Sequence, residues 1–362
     1  MKNSMFQASL ISIALGLLFG FIIMVFFNPF QAFPGMFTVI GGWLLHPEFL
    51  RRLGDWLYLV GPLILNGLSV GFAFKTGLFN IGVTGQYTMG MFAGIVVGIY
   101  GGFLGPIHWV VAVIAAIVAG ALWGLLPGLL KAFFSVHEVI ASIMFNYIAM
   151  ITVNQLIQSN LELVNVAFQK TRPIELSAYL PTYFLRDWFP RSSIDIGIIL
   201  AILVALVIYI VLEKTTFGYE LKTVGTNRFA AKYAGILEQR SIILSMSISG
   251  ALAGMAGALY FLSLGAINSG NQYSVSGVLL GAGFEGIAVA LLGQSSPLGI
   301  LLSASFISFI QRGGFFMQIF DIKIEIIEIM IAAIIYSSAI AAFIQPYLGQ
   351  WFKWKKTKKV SP

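Results

Sequence analysis

The chain has 362 residues, 58% of them apolar and only 10% charged, with a mean hydropathy of +0.91. A soluble domain carries about 25% charged residues and must expose much of its surface to water, so an ordinary water-soluble fold is excluded. The formal charge is +7, there is no cysteine, and His46, His108 and His137 are widely separated; disulfides, thiol chemistry and Cys-ligated metals are excluded, and no metal-ligand spacing is present.

A helix needs about 20 apolar residues to cross the hydrocarbon core. That criterion predicts an all-α integral membrane protein with about ten spans: 7–27, 56–74, 86–104, 108–130, 138–157, 193–212, 241–264, 277–293, 297–315 and 325–344. The first does not read as a cleaved leader, because Asn28-Pro29-Phe30 follows it where small residues would mark a cleavage site. Ten spans put both termini on one side. Placing them in the cytoplasm also puts Lys2, Lys75, Lys131, the loop 213–240 and the tail 345–362 inside, with thirteen of the 21 Lys and Arg residues. The only clear acids there are Glu213, Glu220 and Glu238. This bias favours a multi-pass protein of the cytoplasmic membrane in that orientation. The basic tail from Lys353 to Lys359, with Trp351 and Trp354, reads as an anchor beside anionic lipid, not as a nucleic-acid site.

The spans divide into a first half, 1–157, an extracellular connection, 158–192, and a second half, 193–344, followed by the tail 345–362. Five spans per half invert the polarity of the second, the arrangement of a 5+5 inverted repeat. Glycine-interrupted apolar stretches occur in both halves, at 77–90 and 277–293. Such stretches mark substrate paths, while glycines four apart, as at Gly90, Gly94 and Gly98 or Gly250 and Gly254, also permit close helix packing. Polar side chains at membrane depth face a bundle interior or a cavity. Asn66, Asn80, Gln86, Asn146, Asn154, Glu285 and Gln311 fall in that class, and Asn80, Gln86 and Glu285 are the candidates for lining a pathway. For Glu285 the alternative is a structural ion pair, with Arg312 as the partner. No chain of embedded acids and histidines offers a proton relay. No Gly-Lys-Ser/Thr phosphate loop is present, so any ATP-driven step needs another subunit.

Within 213–240, Thr226 or Asn227 can cap a short helix over Arg228–Ala234 that Gly235 ends. Ala230, Ala231 and Ala234 beside Phe229 and Tyr233 suit docking into another protein, or an amphipathic helix lying on the bilayer. The run Val224–Ile236 resembles the coupling segment of ABC importer permeases of the simple-sugar and branched-chain amino acid superfamily. Gly77–Gln86, GLFNIGVTGQ, is similar to the FNIGVEGQ signature of its nucleoside-type branch, with Thr84 where many relatives carry an acid. The stretches Lys131–Ala149 and Gly283–Gly293 resemble the same branch.

That resemblance implies an ABC importer permease fold and a permease subunit for nucleosides, itself not an enzyme. It assigns contact with an ABC ATPase subunit to Thr226, Asn227, Arg228, Ala230, Ala231, Tyr233, Ala234 and Gly235. It further implies a second homologous permease and an extracellular substrate-binding lipoprotein received by 28–55 and 158–192. No cofactor resides in this chain on that reading; ATP and Mg²⁺ belong to the partner. The alternatives are a permease of the superfamily for a pentose, another sugar or a branched-chain amino acid, and an ion-coupled secondary transporter acting alone.

Overall fold

A computed structural model describes residues 2–264, 271–337 and 340, with side chains from residue 11 onward. The tail 345–362 and the end of the last predicted span lie outside the described residues. The fold is helical: α1 Lys2–Phe27, α2 Ala32–Ile40, α3 Phe49–Lys75, α4 Val83–Tyr100, α5 His108–Phe134, α6 Glu138–Gln158, α7 Leu185–Trp188, α8 Gly197–Lys214, α9 Thr216–Thr226, α10 Arg228–Tyr233, α11 Glu238–Phe261, α12 Gly281–Leu292, α13 Pro297–Met317 and α14 over 325–337. Each of the ten predicted spans finds a helix. Among the described residues six helices are long and apolar enough to cross a membrane, including α3, α6, α8 and α11.

Two predicted spans need correction. The span 277–293 contains only α12, whose 12 residues reach about 18 Å, too short to cross. The span 86–104 begins earlier, at Val83, directly after a non-helical break over 76–82. Hydropathy counts apolar residues and is blind to the backbone, so it extends a half-helix through its apolar approach, Val278–Leu280.

The chain forms two compact units, Met1–His46 with Phe309–Pro362, and Pro47–Ser308. In the first, α1 meets α14 where Gly16 and Gly20 lie against Ile334 and Met330. Trp43 is buried there against Phe309 and Phe316, and the Arg312 guanidinium stands over Phe315 and Phe316 at 5.4 and 5.3 Å. In the second, α11 is the central post, packed on α5, α4 and α3. Its Gly250 and Gly254 meet the backbones of Gly120, Ala116 and Gly90 so closely that an added Cβ would clash at each. Small residues let backbones approach where the hydrophobic effect does not hold helices together. Gly94 has only ordinary contacts and Gly98 packs on Ile174. The connection 158–192 carries a two-stranded hairpin, Val164–Asn165 with Lys170–Thr171, before α7. His108 is fully buried at the same end, its ring nitrogens each 2.8 Å from Ser177 Oγ and the Val97 carbonyl, a structural histidine.

A candidate translocation site and its coupling loop

The loop 213–240 is mostly helix. Thr215 Oγ1 accepts the Gly218 N–H at 3.1 Å and starts α9; Asn227 Oδ1 accepts the Ala230 N–H at 3.0 Å and starts α10. Asn227, not Thr226, is therefore the cap, while the Thr226 hydroxyl donates to the Lys222 carbonyl. Gly235 stands at φ +79°, a left-handed position that favours glycine, and Ile236 N–H returns to the Ala231 carbonyl at 3.0 Å. Arg228 pairs with Glu238 at 3.5 Å across this turn. Ala231 is fully buried, whereas Ala230 and Ala234 are exposed and the rings of Phe229 and Tyr233 are 80% and 95% exposed. The surface that α10 offers is thus an aromatic pair one turn apart, flanked by small residues.

The helix α9 went unpredicted. Its buried stripe is Gly218, Leu221 and Val224, a helical spacing diluted by two glycines and three threonines. It lays Gly225 on the break between α3 and α4. A Cβ on Gly225 would fall on the Lys75 carbonyl and lie 2.8 Å from Gly77 N, and Gly77 itself turns at φ +71°. Below this contact the buried cluster Ala73, Leu78, Ile242 and Met246 joins the break to α11, and Thr76 Oγ1 donates to Ser245 Oγ at 2.8 Å.

Two predicted pathway residues meet where the break runs into α4. Asn80 Nδ2 donates to Gln86 Oε1 at 2.8 Å and to Ser249 Oγ at 2.7 Å, and Gln86 Nε2 returns to Asn80 Oδ1 at 3.2 Å. Ser249 in turn donates to the Ser69 carbonyl at 2.6 Å. Both amides are at most 1% exposed, so they clasp α3, α4 and α11 together in this conformation. Asn146 closes the break from α6, accepting the Gly85 N–H at 2.7 Å and donating to the Ile81 carbonyl at 3.0 Å.

Glu285 is elsewhere, half-buried in the second turn of α12 and within electrostatic reach of Tyr87 and Tyr260. Short α12 lies against α3 and α4: Gly286 on Asn66, Gly283 on Thr84, with Asn66 Nδ2 donating to the Ala282 carbonyl at 2.9 Å. Thr84, the position of the departure from the signature, is thus fully buried at a helix contact.

At the opposite end from α10, a cavity of about 270 Å³ is lined by Arg51, Arg186, Arg191, Thr182, Ser263 and Asp195, among others. Sequence reading passed over it because its residues come from α3, the 182–195 loop and the end of α11. Asp55 Oδ1 accepts the Ser193 N–H at 2.8 Å and fixes that loop. Asp195 is buried ahead of α8, its Oδ1 accepting the Gly197 N–H at 2.7 Å and its Oδ2 without a partner among the described residues. Burial pushes its carboxyl up to about 7, against the opposing pull of hydrogen bonds from Ser263 and Gly197. Among the described residues no group of three His, Cys, Asp or Glu could hold a metal.

The family model for the branched-chain amino acid transport system permease component matches residues 52–343. The chain is 39% identical to the guanosine ABC transporter permease protein NupP of Bacillus subtilis, over 94% of this chain and 95% of that one. It is 37% identical to the nucleoside ABC transporter permease protein NupB of Lactococcus lactis, over 94% and 92%. A second Bacillus subtilis protein, the guanosine ABC transporter permease protein NupQ, is 26% identical over 70% of this chain and 79% of its own. No solved structure matches. With most of its length covered, membrane-crossing helices throughout and the break-and-loop architecture above, this chain is a multi-pass membrane protein that belongs to the branched-chain amino acid transport system permease family.

Proposed function

We propose that the chain is the permease subunit of an ATP-driven importer that brings nucleosides into the cell. The observation that carries this reading is likeness at 37–39% identity, over nearly the whole chain, to permeases named for nucleoside and guanosine transport. The buried hydrogen-bonding clasp and the scarcity of charge inside the second unit suit a neutral, hydrogen-bonding substrate.

On this reading the α9–α10 end faces the cytoplasm with both termini, in keeping with its basic charge. A separate ATPase subunit, holding ATP and Mg²⁺, grips α10 by Phe229 and Tyr233. The contact then reaches the membrane through Gly225 and the α3–α4 break. A second, related permease completes the pore, as the coexistence of NupP and NupQ in one organism supports. The arginine-lined cavity faces outside, where a substrate-binding lipoprotein delivers its load.

The test is reconstitution of this chain with those three partners in liposomes, measuring ATPase activity and uptake across nucleosides and sugars. ATP-dependent guanosine uptake supports the reading. Stimulation by a sugar alone refutes the substrate, and uptake by this chain alone without ATP refutes the importer.

A further inference from the structure

We propose that residues 271–276 form a latch on the approach to the half-helix α12, and that Asn154 is the residue that positions it. Drawing Tyr273 away from Asn154 frees that approach. The side the latch faces and the partner that draws it rest on the importer reading above.

Between α11 and α12 the chain lies against the hairpin of the 158–192 connection. Thr171 N–H donates to the Tyr273 carbonyl and Val275 N–H to the Gln169 carbonyl, both at 2.9 Å. These bonds make Lys170 and Ser274 an antiparallel pair, and Thr171 Oγ1 accepts the Tyr273 N–H at 3.1 Å. Hairpin and segment are thus joined through their backbones and move together. At the near end Asn271 Nδ2 donates to Tyr58 Oη and, at 2.7 Å, to the Tyr260 carbonyl. That end is anchored on α3 and α11 and serves as the pivot.

Asn154, one of the polar residues placed at membrane depth by the sequence, grips the far end with both atoms of its amide. Its Oδ1 accepts the Tyr273 hydroxyl at 2.8 Å, and its Nδ2 donates to the Ser276 carbonyl at 2.6 Å. It stands four residues before the end of α6 at Gln158, about 6 Å along the axis, so the grip lies near the mouth of the bundle. Tyr273 is the only buried side chain among 271–276, and its ring meets Phe261 edge-on at 6.4 Å.

Past this grip the chain is loose. Among the described residues no hydrogen bond holds 277–279, and Val278 is 71% exposed. Nothing lies within 4 Å of a Cβ built on Gly277 or Gly281, and two such glycines give the link the freedom of a hinge. Beyond the hinge, α12 carries Glu285 and sits on α3 and α4 through Gly286 and Gly283. Asn154 is therefore the last fixed point before a hinged, short helix that bears a pathway candidate. The grip itself consists of hydrogen bonds. These exchange for water at small net cost, so they can open and remake where an apolar interlock would hold. A loaded binding protein that shifts the hairpin pulls Tyr273 off Asn154 and lets α12 move.

The chain has no cysteine, so Gln158→Cys and Ser274→Cys, both at exposed positions, give this subunit its only two spin labels. In the reconstituted four-subunit importer their separation should show one population at rest. A second, longer one should appear with the loaded binding protein and ATP. Tyr273→Phe keeps the ring and deletes only the hydroxyl that Asn154 holds. It should raise the longer population about fivefold without any binding protein, the worth of one neutral hydrogen bond. A longer population that Tyr273→Phe leaves unchanged, or a single distance throughout, overturns the inference. A wild-type importer that moves no nucleoside sinks the importer reading instead, and the Tyr273→Phe comparison still decides the latch.

Lys170→Cys with Ser274→Cys tests whether the hairpin is the handle. Directly opposed residues in a non-hydrogen-bonded antiparallel pair stand about 4.5 Å apart between Cα atoms, within disulfide reach. Oxidation should leave guanosine uptake near the reduced rate, because hairpin and segment travel as one. Uptake lost on oxidation and restored by a reductant would show that the two must part, which also overturns the inference.

Discussion

Gly77 and Gly225 bring α9 and the α3–α4 break into backbone contact, with Gly77 N only 2.8 Å from where a Gly225 Cβ would stand. Motion of α9 therefore bears on the backbone of the break without a side chain between them to absorb it. Gly225→Ala places its methyl on the Lys75 carbonyl, which is backbone and cannot turn aside. Uptake should fall at least about tenfold, since a 1 Å misplacement remote from a working site has effects of that order or larger. ATPase activity should persist, uncoupled from transport. Wild-type uptake by this variant would remove the contact from the coupling route.

Phe229 and Tyr233 make a separate prediction because neither supports the fold. Both are largely exposed, and exposed aromatics that fill a partner's pocket can each contribute about 2 kcal/mol or more to association. Phe229→Ala with Tyr233→Ala should leave membrane insertion and thermal midpoint unchanged while the ATPase subunit no longer co-purifies. A bulky residue at Ala231 should act differently. That side chain is fully buried within this chain, so Ala231→Leu should lower thermal stability through overpacking, by about 1–3 kcal/mol.

The clasp gives a stability prediction. Asn80→Ala leaves Gln86 and Ser249 short of a buried partner, at about 1–3 kcal/mol for each group left unsatisfied. The thermal midpoint in detergent should drop by several degrees, and Asn80→Asp should drop it further by burying an unpaired charge. A midpoint unmoved by either change would mean that water already shares this network.

How far these features were legible in the sequence depends on the distance over which they act. The α10 cap and stop are local, and Asn227 and Gly235 signal them within nine residues. The break at 76–82 was visible only as glycine-rich composition, because Asn80 finds Gln86 nearby but Ser249 from 169 residues away. Short α12 was hidden by its apolar approach, and α9 by glycines that exist to let its backbone touch another segment. The arginine-lined cavity is the extreme case: Arg51 and Arg186 are ordinary surface residues until the fold closes α3 on the 182–195 loop.

Asp195 predicts a pH dependence with a definite sign. Its carboxyl titrates near 7 in the folded chain against the ordinary 3.8 of an aspartate in water, chiefly because burial penalises the charged form. The folded state thus binds more protons than the unfolded state between those two values. Stability is fully present below about pH 4, declines as pH rises to about 7, and is flat above it, by about 4 kcal/mol in all. Arg51, Arg186 and Arg191 line the same cavity and Tyr58 faces the carboxyl from α3. None of the arginines changes charge in this range. Asp195→Asn keeps an acceptor for Gly197 and removes the titration. Thermal midpoints of wild type and Asp195→Asn, followed from pH 5 to 8, should therefore diverge, with the wild type losing ground as pH rises. Parallel curves would show that water reaches Asp195 Oδ2 and holds its carboxyl in the usual range.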